Sequence, residues 1–345
     1  MRNPLRRILV IRNDRLGDFV LAFPSFVLLK RALPNTEIHA LVPAYTEEIA
    51  EVCEGIDQTV VDPGQEASMA QQLDLLRRLR RNNYDAVITL YSTTRIGLCT
   101  LLAGVPYRLA PATKLAQIFY NNRLKQRRSR SKKPEYEYNL DLCIKFLKDA
   151  GTEQPTLPTP PYIHFKDDQV AVLRAQFCQQ HGLDSRKLLV FVHPGSGGSA
   201  NNLTLAQYSQ LVHLLSSTDG HAVVVTAGPG EEQIAHSLAA HLKGVTHTVY
   251  HSSEGLRRFA KHIQFSDLFV SGSTGPLHIA GALNRPTAAF YPRRRSATAL
   301  RWQTLSAPER RLTFSPPDRA EESDMGSVDL VAAAETISTQ FLHGR

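Results

Sequence analysis

Ser271-Gly272-Ser273-Thr274-Gly275-Pro276-Leu277-His278 places small and hydroxyl-bearing residues between an apolar run, Leu268-Phe269-Val270, and a short apolar segment, Ile279 to Leu283. The order reads as a buried strand, a tight turn and a helix with Pro276 at its first position, where a missing N–H costs nothing. Such a helix start presents unpaired backbone N–H groups and the positive end of the helix dipole, the ingredients of a phosphate seat. Gly275 lets a ligand approach the backbone, Ser273 and Thr274 add hydroxyl donors, and His278 stands one turn in. The plainer alternative is an ordinary Ser/Thr cap followed by a half-buried histidine.

Four further segments follow strand-like runs, the side of a parallel sheet where ligands bind. Arg12-Asn13-Asp14-Arg15-Leu16-Gly17-Asp18 follows the first run and places Asp18 at a helix start. A carboxylate there can take a proton from an attacking hydroxyl; helix capping is the commoner use of Asp, and Asp14 competes for the role. His193-Pro194-Gly195-Ser196-Gly197-Gly198-Ser199-Ala200-Asn201-Asn202 is a glycine-rich loop suited to cradling phosphate, with a flexible loop as the plain reading. It is neither a dinucleotide fingerprint nor a Walker A loop. Gly228-Pro229-Gly230-Glu231-Glu232 offers Glu231 to a ribose diol, or merely to the dipole of the helix it opens. Tyr291-Pro292-Arg293-Arg294-Arg295 adds positive charge after the last recognisable strand.

These loops need scaffolds. Strand-like runs at Arg7–Ile11, 37–42, 59–61 and 85–90 alternate with helical periodicity over 19–33 and 67–81, where Leu73, Leu76 and Leu79 share one side. A proline-rich stretch, 151–161, reads as a linker. Alternation resumes with strands at 188–192, 222–225, 246–249, 268–270 and 287–291, helices at 204–215, 231–242 and 254–262, and a closing helix over 328–341. The fold class expected is α/β: two Rossmann-like doubly wound domains facing a central cleft. Boundaries are set at 1–165 and 187–325, with a linker at about 151–186 and a C-terminal helix in 326–345.

A chain of 345 residues suits two domains, and 42% hydrophobic content with a mean hydropathy of -0.23 describes a globular protein. Neither a membrane span nor a secretory leader is expected. Cys53, Cys99, Cys143 and Cys178 lack metal-ligand spacing and read as reduced thiols. A net charge of +8 calls for an acidic partner. Arg123, Arg127, Arg128 and Arg130, with Lys125, Lys132 and Lys133, crowd one acid-free segment. That run suits an anionic membrane or acceptor phosphates; without interleaved aromatics or a recognition motif, nucleic acid is not expected.

Taken in order, Ile8–Ile11 with Leu16-Gly17-Asp18, His193-Pro194-Gly195-Ser196-Gly197, Gly228-Pro229-Gly230-Glu231, Ser273 to Ala280 and Arg301-Trp302 resemble glycosyltransferase family 9, the lipopolysaccharide heptosyltransferases. The resemblance implies a GT-B fold with acceptor on the N-terminal domain and nucleotide-sugar on the C-terminal one. It implies inverting, metal-independent transfer without cofactor, Asp18 as base, and a diphosphate over Thr274-Gly275 helped by His278. Donor contacts would come from His193, Gly195, Ser196 and Ser273, and ribose contact from Glu231. Arg15 and the basic segment would meet a phosphorylated glycolipid acceptor on the inner face of the inner membrane. Two departures stand out: Ser273 where the family commonly has Asp, and Asn201-Asn202-Leu203 where it has Lys shortly before Trp. ADP-heptose remains the expected donor. The alternatives are a transferase acting on a protein or soluble acceptor, and a non-catalytic basic protein that binds nucleotide or nucleic acid.

Overall fold

The computed structural model describes residues 4–113, 115–197, 201–216 and 220–342, leaving Met1 to Asn3 and Gly198, Ser199 and Ala200 of the glycine-rich loop outside. The chain forms two compact units, one of Met1–Arg128 with Lys133–Ile163, the other of Ser129–Lys132 with His164–Arg345.

Unit 1 is a six-stranded sheet in the order β3-β2-β1-β4-β5-β6, formed by β1 (Arg7–Ile11), β2 (Glu37–Pro43), β3 (Gln58–Asp62), β4 (Ala86–Thr89), β5 (Tyr107–Pro111) and β6 (Asn122–Leu124). Every neighbouring pair is parallel. Its helices are α1 (Leu16–Val20), α2 (Phe23–Ala32), α3 (Glu47–Ala50), α4 (Met69–Asn82), α5 (Thr94–Leu102) and α6 (Glu135–Asp149). Ile8 to Ile11 are fully buried, as a strand covered on both faces requires.

Unit 2 repeats the plan in the order β12-β11-β10-β7-β8-β9, from β7 (Leu188–His193), β8 (His221–Ala227), β9 (His247–His251), β10 (Leu268–Gly272), β11 (Thr287–Phe290) and β12 (Arg311–Phe314). All five pairings are parallel. The helices are α7 (Asp167–Gln180), α8 (Leu205–Leu215), α9 (Glu232–Ala240), α10 (Gly255–Gln264), α11 (Gly275–Ala282), α12 (Ala299–Trp302) and α13 (Leu330–Ile337). Val190, Val223, Val270 and Leu211 lie in its core, with Leu330 and Ile337 of α13 packed among them. The α/β class with two doubly wound parallel sheets is the one expected from sequence.

Several local readings change. The helical stretch 19–33 is two helices. The chain turns at Leu21-Ala22, and Pro24 sits in the first turn of α2, where its missing N–H breaks no bond. In α4 the buried pair is Leu75 and Leu79, an i,i+4 stripe; Leu73 faces solvent. Residues 167–180 of the expected linker form α7, whose Val170, Leu173 and Phe177 are buried. The last strand is β12 rather than β11: it is a half-buried edge opening on Arg311, with no apolar run to announce it. Pro276 occupies the second position of α11, because Thr274 is the cap and Gly275 the first helical residue.

Candidate active site

In each unit the strand order reverses between two adjacent strands, β1 and β4 in unit 1 and β7 and β10 in unit 2. Ligands of doubly wound sheets bind beyond the carboxyl ends at such points. The sequence-selected loops after β1, β7 and β10 leave the sheets there.

In unit 1, β1 ends at Ile11 and the next residue, Arg12, is only 2% exposed. A buried guanidinium is costly unless its donors are met by acceptors. Arg12 Nε donates to Asp14 Oδ1 at 2.8 Å, Nη1 donates to Glu135 Oε1 at 3.1 Å and Asn139 Oδ1 at 3.2 Å, and Nη2 donates to Asp18 Oδ1. Arg128 Nη1 adds a bond to Glu135 Oε1 at 2.6 Å. Two cations thus face three carboxylates, leaving a net charge of -1 when all are ionised. Burial would lower the pKa of Arg12, and the three carboxylates more than reverse it.

Asp18, the third residue of α1, has a side chain 14% exposed. Burial raises its pKa to about 6; Arg12 opposes that rise, while Asp14 and Glu135 add to it. A carboxylate so placed is ionised at neutral pH yet more basic than a solvated Asp, which suits a general base. Asp14, the rival, accepts from Arg12, and its carbonyl accepts from the Tyr45 hydroxyl at 3.0 Å. Arg15 is exposed beside them as the N-cap of α1. Arg12, Glu135 and Asn139 were not singled out from sequence. The one available signal is that Glu135 is the first acid after 49 residues, Ala86 to Pro134, that contain none.

In unit 2, the loops after β7, β8 and β10 are tied together. His193 is buried, with Nδ1 3.0 Å from Thr226 Oγ1 and Nε2 3.4 Å from Glu231 Oε2; burial lowers its pKa against the pull of Glu231. Glu231 also accepts the N–H groups of Gly197 and Gly228, both at 3.1 Å. Gly195 is needed where this side chain crosses, since a Cβ there would lie 2.3 Å from the Glu231 carboxyl carbon. Ser196 is half-buried on the same loop.

Asn202 donates to the Pro194 carbonyl at 3.1 Å, while its Oδ1 accepts from the Tyr208 hydroxyl at 2.6 Å. Tyr208 in turn accepts the Gly272 N–H at 3.1 Å. The residue at one departure from the family pattern therefore pins the β7 loop to the end of β10. Thr274 caps α11 by accepting the Leu277 N–H, and its hydroxyl lies 3.0 Å from that of buried Ser271. Ser273 is half-buried between them, and the N–H of Gly275 belongs to the first turn, outside the intrahelical ladder. His278 is 2% exposed; burial lowers its pKa to about 4, and its Nδ1 is buried without a hydrogen-bond partner. At neutral pH the ring is uncharged and can offer a phosphate a hydrogen bond rather than a cation.

The basic segment divides. Arg123 on β6, and Arg127 and Arg130 beyond it, are exposed, whereas Arg128 is committed to Glu135 and to Gln126 Oε1 at 3.0 Å. Arg127 lines a cavity of about 450 Å³ with Lys125, Lys133, Lys145, Tyr138 and Asp141. Only Asp141 among these is acidic, and it accepts from Lys133.

One expected result arises here. Gly195→Ala forces the Glu231 carboxylate off at least one of its two N–H donors, worth about 1 to 2 kcal/mol. Across a chain of this size the melting temperature, read by calorimetry, is expected to fall by roughly 2 °C. A larger fall would mean that the loop backbone, and not only the end of the flexible Glu231 side chain, gives way.

The family model for Glycosyltransferase family 9 (heptosyltransferase) matches residues 72–308. A Haemophilus influenzae protein named "Putative glycosyltransferase" is 42% identical over 93% of this chain and 92% of its own. Lipopolysaccharide heptosyltransferase 1 of Campylobacter coli is 23% identical, covering 83% of each chain. The structure of Escherichia coli ADP-heptose lps heptosyltransferase II superposes with a TM-score of 0.78 at 18% identity, over 97% of this chain and 98% of that one.

Proposed function

The chain belongs to glycosyltransferase family 9, and from that membership and the geometry of its strand ends we propose that it moves a heptose from ADP-heptose onto a lipopolysaccharide inner-core acceptor, inverting the anomeric centre without a metal ion. The observation that carries the mechanism is the Asp18 carboxylate, placed at the end of β1 by the buried Arg12 and raised in basicity. Asp18 takes the proton of the acceptor hydroxyl as that oxygen bonds to the anomeric carbon. The bond from that carbon to the diphosphate breaks, and the nucleoside diphosphate leaves with the electron pair.

In this reading the diphosphate lies over Thr274-Gly275 at the start of α11, where first-turn N–H groups and the helix dipole stabilise charge that grows in the transition state. His278 adds a hydrogen bond. Glu231 and His193 hold the loops that receive the donor, and Glu231 retains acceptor capacity for the ribose diol. Ser273, Gly195 and Ser196 complete the donor contacts. Arg15 and the exposed cations Arg123, Arg127 and Arg130 meet the phosphates of a glycolipid acceptor. Arg128 acts differently, steadying Glu135 and through it Arg12. The enzyme then works at the cytoplasmic face of the inner membrane as a peripheral protein; among the described residues no helix is long and apolar enough to cross a bilayer.

The donor is tested by thermal shift in EDTA with ADP-heptose, GDP-mannose and UDP-glucose. ADP-heptose at about 100 times its Kd is expected to stabilise the fold by about 2.7 kcal/mol, with the other two inert. Stabilisation by a GDP- or UDP-sugar instead would overturn the donor assignment, and a requirement for a divalent ion would overturn metal independence.

A further inference from the structure

Soluble proteins rarely leave several large aliphatic side chains exposed side by side. In unit 1, Leu98, Leu101 and Leu102 are exposed on α5 at the i, i+3, i+4 spacing of a single helix face. The 3-10 turn Leu115–Phe119 packs beside α5, with Gly97 against the Phe119 ring. That turn exposes Leu115 by 70% and Ile118 by 62%.

Along the sequence, the segment that carries these side chains holds charge of one sign. Ala86 to Pro134 contains ten Lys and Arg and no Asp or Glu, in a chain with 32 acids. Arg80 donates to the Leu102 carbonyl at 2.9 Å and Arg108 to the Phe119 carbonyl at 2.9 Å, so the cations at the edge of the apolar face rest on backbone oxygens. Along and beyond β6, the alternate residues Arg123, Lys125 and Arg127 are exposed, while Leu124 and Gln126 turn inward.

We propose that the outward face of α5 and the 115–119 turn, bordered by this acid-free basic segment, is a docking surface for an anionic lipid bilayer. Aliphatic side chains enter the interfacial region while the cations stay at the level of the headgroups. A second copy of the chain is a poor occupant, because a two-fold contact through this face would set each acid-free segment against its twin. Nucleic acid would satisfy the cations and leave the aliphatic face without a role. The inference rests on the proposed function only for the purpose of docking, which is to bring the enzyme to a membrane-held acceptor.

The test uses the full chain and sedimentation with phosphatidylcholine vesicles, with and without about 30% phosphatidylglycerol. The wild type is expected to sediment only with the anionic vesicles and to be released by roughly 0.5 M salt. The double variant Leu115→Ser/Ile118→Ser should bind those vesicles at least about tenfold more weakly. It should keep the wild-type melting temperature and wild-type transfer to a soluble, delipidated acceptor. Equal vesicle binding by the two proteins overturns the proposal, as does a wild type that ignores anionic vesicles or prefers RNA to them. Absent transfer with vesicle binding intact would instead strike the proposed function alone.

Discussion

Asp18→Asn is expected to lower kcat by about 10² to 10⁴-fold, the usual contribution of a positioned general base, with ADP-heptose binding unchanged by calorimetry. The same substitution should make the protein more stable. Burial holds the folded pKa of Asp18 at about 6, above its ordinary value of 3.8. The folded state therefore binds the proton more tightly than the unfolded chain. Its contribution to stability is full below about pH 4 and is lost as pH rises through about 6. Above that pH an ionised Asp18 costs about 1 to 3 kcal/mol, which the neutral amide removes. Higher melting temperature with lost turnover separates a catalytic carboxylate from a structural one. Full activity, or a fall in stability matching the fall in rate, would remove Asp18 from the mechanism.

The second large effect falls on the residue beneath it. Arg12→Met removes a buried guanidinium that bonds Asp14, Asp18, Glu135 and Asn139, leaving three carboxylates with Arg128 as the nearby cation. Stranding a buried charge costs about 3 to 5 kcal/mol. Across a chain of this size the melting temperature is expected to fall by roughly 5 °C. The deficit should shrink as pH is lowered from about 7.5 to about 5. Arg12 opposes the rise that burial imposes on Asp18, so without it the Asp18 carboxyl is held higher still and its protonation stabilises the folded state more than the unfolded one. Arg12→Lys keeps the charge without the planar fork and should fall between wild type and Met. A loss of stability in Met that stays constant with pH would mean that packing, not charge, is what Arg12 supplies.

This distribution of effects explains what could be read from sequence. The strand ends were legible because buried parallel strands are continuous apolar runs that stop abruptly at a polar residue: Val10-Ile11 before Arg12, Val192 before His193, Val270 before Ser271. A loop that must receive a ligand keeps its small residues, so Gly195 and Gly275 stood out as well. Arg12 did not, because an arginine in a loop reads as solvated. Its burial is made tolerable by Asp14 and Asp18 nearby and by an acid 123 residues away, on a helix after the basic run, which no local pattern connects to it. The stripe on α4 was misplaced for a related reason: Leu73, Leu76 and Leu79 satisfy helical periodicity as well as Leu75 and Leu79 do, and only the neighbouring sheet chooses between them. The edge strands β6 and β12 are short, half-exposed and interrupted by cations, so nothing local marks them. Glu231 was legible as an acid at a strand end. Its engagement with Gly197, Gly228 and His193 is a property of three loops brought together by the sheet.

The central claim is that a single half-buried carboxylate of this chain, Asp18, serves as the base of a metal-independent glycosyl transfer. Its most direct test is the pH dependence of kcat/KM for the acceptor, from about pH 5 to about 8 in EDTA, for the wild type and Asp18→Asn. The wild type should rise about tenfold per pH unit to a midpoint near 6, set by Asp18, and then level off, while the residual rate of Asp18→Asn shows no such limb. A flat wild-type profile, or the same limb persisting without Asp18, would contradict the account.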